Sequence, residues 1–136
     1  MLRNKKTIRI LDKMIETAKK GCHRSKHAAA IVKGGKILYI ARNKVIGKKN
    51  GRKTKHAEAN VIDICLAQNR NKKILKGATI YVIRINPNFD YENNDFEENL
   101  DNTKCNPFQN SKPCPKCQSI INKCKHKYGL LGVCHS

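Results

Sequence analysis

Residues 111–120 read SKPCPKCQSI, and they set Cys114 and Cys117 three positions apart just where an apolar helical rhythm begins in Ile120, Ile121 and Cys124. That spacing places both sulfurs on one face of a helix's first turn. Gly129 follows as the stop. Such a pair can hold a metal for structure, carry out redox chemistry or build an active site. The remainder of the chain decides between these.

Upstream, HAEANVIDICLAQN at 56–69 pairs Val61 with Cys65 and Ile62 with Leu66 at i, i+4, the apolar face of another helix. His56 and Glu58 fall in its first turn. Where two such helix N-termini face each other, one imidazole and two thiolates make three ligands for a tetrahedral Zn²⁺. The fourth position then stays open for water, as in catalytic rather than structural zinc sites. Two positive helix ends suit the anionic centre that results. Glu58, two positions from the ligand His56, is placed to take a proton from water and pass it to a ring nitrogen and a departing amine.

Ile8, Leu11, Ile15 and Ala18 predict a first helix over 7–20, stopped by Gly21. AAAIVKGGKILYIA at 28–41 reads as an antiparallel hairpin about Gly34 and Gly35. ATIYVIRI at 78–85 is a β-branched run suited to a strand buried on both faces, and LLGVCHS at 130–136 predicts a last strand. The order helix, hairpin, helix, strand, helix, strand predicts an α/β fold, a three-layered α/β/α sandwich whose mixed sheet has an antiparallel first hairpin and parallel later strands. One domain over 1–136 accounts for the length.

Residues 86–110 interrupt this pattern with six of the ten acidic residues, a single basic one (Lys104) and four of the seven aromatics: Phe89, Tyr91, Phe96 and Phe108. The aromatic content predicts an insertion that packs as a flap rather than a disordered loop. The chain as a whole carries a formal charge of +19, which favours phosphorylated substrates or polyanions. Seven basic residues lie in 42–55 alone, read as a loop that leads into His56. No run is apolar and long enough to span a membrane, and the N-terminal residues lack the apolar region of a signal peptide. An intracellular, cytoplasmic protein with reduced thiols is the expectation, with Cys65, Cys124 and Cys134 as small core residues.

HAEAN at 56–60 and PCPKC at 113–117 together form an H-x-E, P-C-x-x-C pair. With the hairpin AAAIVKGGKILYIARN and the run YGLLGVCHS, the chain resembles the cytidine and deoxycytidylate deaminase superfamily from about residue 7 onward. The resemblance implies zinc held by His56, Cys114 and Cys117, with Glu58 as proton shuttle. It implies substrate contacts from Asn43, Ala57 and Asn60. The activity implied is hydrolytic deamination of a cytosine-type nucleotide, such as CMP or dCMP, with release of ammonia, in a homo-oligomer of two or more copies. The gap between Glu58 and Pro113 is longer than the family's usual one, which implies an altered pocket wall.

Other readings stay open at this level. The substrate could be single-stranded DNA, RNA or tRNA, or the chain could be a non-catalytic zinc-containing nucleic-acid binder. Cys114 and Cys117 could join Cys105 or Cys124 and His126 in a structural knuckle. Cys22, His23 and His27 could hold a second zinc.

Overall fold

The computed structural model describes residues 4–21, 25–46, 53–102 and 104–136. Strand β1 (His27–Lys33) turns at Gly34 and Gly35 into β2 (Lys36–Arg42), with Lys33 opposite Lys36 and Ala28 opposite Arg42. Both glycines have positive φ, at 59° and 76°, the backbone a tight two-residue hairpin turn demands. On its other side β1 pairs antiparallel with β5 (Thr79–Ile85), which in turn pairs in parallel with β7 (Gly132–His135). The two-residue β6 (Phe108–Gln109) pairs antiparallel with the C-terminal end of β5, at Arg84 and Ile85.

Period-2 alternation divides the central strands between two cores. Ala28, Ala30, Val32, Ile83 and Ile85 point to one face, where α1 (Lys5–Lys19) lays down Ile10, Leu11, Met14, Ile15 and Ala18. Ala29, Ile31, Ile80 and Val82 point to the other, against Val61, Ile62 and Cys65 of α2 (Ala57–Gln68) and Ile121 and Cys124 of α3 (Pro115–Tyr128). The run of small alanines in β1 lets helices approach on both sides. The expected α/β/α sandwich, mixed sheet and parallel last pair are all present.

The structure corrects the reading at two points. The basic segment 42–55 is more than a loop, because β3 (Lys44–Ile46) and β4 (Lys53–Lys55) pair antiparallel in a small separate sheet, Lys44 opposite Lys55. Val45, Ile46 and Thr54 are the β-branched residues that favour it. Cys134 is exposed rather than buried, since β7 lies at the edge of the sheet and its outer residues have no covering layer among the described residues.

The aromatics of the acidic segment 86–110 pack against the body of the fold. Phe89 is buried and meets Tyr91 edge-on at 4.7 Å, while Tyr91, Phe96 and Phe108 lie against the α1 core. Lys19 of α1 sits over the Tyr91 ring. The Asp90 carboxylate accepts from the Asn93 side chain and from the backbone of Glu92 and Asn93, which fold the loop on itself and hold its carboxyl below the usual range.

Candidate active site

The N-termini of α2 and α3 come together, as the spacing of their cysteines and histidine predicts. His56 precedes α2 in extended conformation and makes no side-chain capping bond, which leaves its ring free to face the other helix. Cys114 caps α3: its sulfur accepts from the Cys117 N–H at 3.5 Å, and Pro115 starts the helix where no N–H is needed. His56 Nδ1 lies 3.3 Å from Cys117 Sγ and 3.5 Å from Cys114 Sγ. All three donor atoms fall within 4.8 Å of one another.

Glu58 is buried beside them in the first turn of α2. Burial pushes the Cys117 thiol up to about 12, and the neighbouring Glu58 carboxylate and Cys114 sulfur push the same way. A divalent cation is the counter-charge such a thiol needs to ionise. The donor set fits zinc by its chemistry, two soft sulfurs and one imidazole, and three protein ligands leave a place for a small molecule. Among the described residues no other trio of His, Cys, Asp or Glu side chains converges in this way. Cys124 belongs to the core and Cys105 is exposed on the insertion, so neither completes a knuckle.

A pocket of about 390 Å³ opens over these groups, reached by His56, Ala57, Glu58 and Cys114 from the helices and by Asn43 from the end of β2. Asn43 is itself buried and committed at both ends. Its Oδ1 accepts from the His27 N–H at 3.1 Å, and its Nδ2 donates to the Ser25 carbonyl at 2.8 Å. One lone pair and one N–H remain for a ligand. Asn60 is not among the lining residues; its amide donates to the Arg42 carbonyl at 2.9 Å and ties α2 to the end of β2.

Ser25, His27, Thr54, Ser111 and Lys112 also line the pocket, and the residue pattern did not single them out for it. Ser111 is buried, its hydroxyl donating to the Val82 carbonyl at 2.9 Å and its N–H to the Ser136 carbonyl at 2.9 Å, which anchors the entry to α3 on the sheet. A serine three residues before Cys114 was the available signal. His27 is held down to about 4 by burial first, then by the charges of Arg84 and His56. Arg84 lies opposite it in the β1–β5 register, and its Nε is buried without a partner among the described residues. His27 thus belongs to the wall of this pocket; Cys22 and His23, the other members of the second cluster, lie outside the described residues. Among the described residues, none that line the pocket comes from 86–110.

An α/β/α sandwich with an imidazole and two thiols converging between helix N-termini, and a buried carboxylate beside them, is the build of a mononuclear zinc hydrolase. The family model for the cytidine and deoxycytidylate deaminase zinc-binding region matches residues 2–131, and the chain belongs to that family. It is an enzyme of the zinc-dependent deaminase class. Among solved structures it is similar to dCMP deaminase from the cyanophage S-TIM5 in apo form, with 18% identity, a TM-score of 0.60 and coverage of 99% of this chain and 84% of that one. The same cyanophage enzyme in complex with dCMP and dUMP gives 15% identity, a TM-score of 0.61 and coverage of 99% and 83%. No curated protein matches the sequence significantly. No helix among the described residues is long and apolar enough to cross a membrane.

Proposed function

We propose that the protein deaminates a cytosine-type nucleotide, CMP or dCMP in character, to its uracil-type product with release of ammonia. The observation that carries this reading is the convergence of His56, Cys114 and Cys117 with buried Glu58 in one pocket of nucleotide size. His56 Nδ1 and the two sulfurs would hold the zinc. Bound there, the metal supplies a water activated to ionise near neutral pH.

Glu58 is the carboxylate within reach to accept a proton and return it first to the ring nitrogen and then to the leaving amine. Its burial keeps bulk water from competing for that proton. The Ala57 N–H, at the first position of α2, and the second N–H of the Asn43 amide would fix the base. Lys112, exposed at the pocket wall, supplies a cation for a phosphate. The solved neighbour's complex with dCMP and dUMP supports a nucleotide of this kind.

The test is ammonia release from a panel of CMP, dCMP, cytidine, adenosine, guanine, single-stranded DNA and RNA, with zinc content measured on the same sample. Turnover of a cytosine mononucleotide, with cytidine a poorer substrate, is the expected result. Turnover of adenosine or guanine alone would overturn the base assignment.

A further inference from the structure

We propose that one flank of α3 is a track for the sugar-phosphate backbone of a single-stranded nucleic acid, running from the pocket to a lysine-lined groove at the far end of the helix. With 3.6 residues per turn, Lys116, Lys123 and Lys127 fall within about 40° of one another and extend over about 16 Å of helix. All three are exposed, and none is in an ion pair among the described residues. At one end Lys112 stands exposed in the pocket wall. At the other, Lys127 joins Lys72, Lys73, Lys76 and Tyr128 around a groove.

α3 contains no acidic residue, and Asp63, the exposed acid of α2, is already paired with Lys55. Six of the ten acids lie in the 86–110 segment, whose aromatics pack on the α1 core across the sheet. Helix stability accounts for only part of the stripe. Lys127 in the last turn complements the helix dipole, whereas Lys116 in the first turn opposes it. A cation kept at the wrong end of a helix, in line with two others, fits an external anion.

A linear array of single charges matches a phosphodiester chain, which presents its charges at regular intervals along a line. An anionic lipid surface fits less well, because the exposed large apolar residues among those described are Val45, Ile46 and Leu131, none of them on α3. Tyr128 also borders the groove, half-buried with its side chain packed against the core. The inference rests on the deaminase reading only for what the strand meets at the pocket; binding along α3 does not depend on it.

The experiment is equilibrium binding of a labelled oligothymidylate of about 12 nucleotides, which has no cytosine to consume, followed by fluorescence anisotropy over a range of salt. Two triple variants are compared with the unaltered protein: Lys116→Gln, Lys123→Gln, Lys127→Gln on α3, and Lys5→Gln, Lys6→Gln, Lys13→Gln on α1. Both remove three exposed charges, and circular dichroism verifies that each folds. The α3 variant should flatten the slope of log K against log salt by about 2, as three single-strand phosphate contacts would, while the α1 variant leaves it near the starting value.

Equal losses in both variants would reduce the effect to bulk charge and overturn the track. So would the absence of oligonucleotide binding, or binding of phosphatidylserine vesicles in its place. Deamination of a free mononucleotide by the α3 variant at the unaltered rate keeps the two readings separate. The track can fail with the enzyme intact, and strand binding without turnover of any substrate would count against the enzyme reading alone.

Discussion

Two faces of one sheet meet their helices on different terms. Beneath α1 the contact is made by Leu11, Met14 and Ile83, with the insertion's Tyr91 and Phe96 alongside. Toward α2 and α3 the core is equally apolar in its middle but ends in polar burial: of the five buried polar side chains among the described residues, Asn43, Glu58, Asn60 and Ser111 gather at the helix N-termini and only Thr7 lies on α1. Burying such groups costs free energy unless each finds a partner. Asn43, Asn60 and Ser111 spend theirs on backbone carbonyls and N–H groups, which fixes the ends of β2, α2 and β5 relative to one another. Glu58 faces the Cys117 thiol instead. The α1 face is built for stability and the other end for holding charge in place.

That contrast can be broken most severely at the ligands. His56→Ala or Cys117→Ser should remove the metal and abolish deamination, seen as loss of zinc by elemental analysis. Retention of full zinc by either variant would dissolve the site. Next in size, Glu58→Gln should keep the zinc and lower kcat by about 10²- to 10⁴-fold, the range for a positioned proton-transfer group.

On the opposite face the effect changes kind. Leu11→Ala, at a fully buried position, should cost about 2–5 kcal/mol of stability in urea unfolding, while kcat of the folded protein stays unchanged. A matching fall in kcat would show that the faces are not independent.

The smallest effect concerns His27. Its folded value of about 4 lies below the ordinary 6.5, so the unfolded chain takes up a proton that the folded one refuses. Stability is therefore complete above pH 6.5 and declines as pH falls toward 4. His27→Gln should flatten unfolding midpoints measured across that window.

The metal trio and Glu58 were legible in the sequence because two local spacings, His56 to Glu58 and Cys114 to Cys117, each sit at a helix start, and helix starts are readable from periodicity. The central strands were legible for the same reason, in period 2. What the pattern left out depends on tertiary approach. Ser25, His27 and Thr54 reach the pocket only because β1, the β3–β4 pair and α2 converge there. The amide of Asn60 donates to the Arg42 carbonyl, a partner 18 positions away that its place in HAEAN does not reveal. Cys134 misled because an alternating strand gives no sign of whether it lies at a sheet's edge.

The most direct test is zinc-edge X-ray absorption on the purified protein, with metal content determined on the same sample. One zinc per chain, bound by two sulfurs, one imidazole nitrogen and a further light atom, is the predicted shell. A shell of three or four sulfurs would place the metal in a closed structural site and contradict the account.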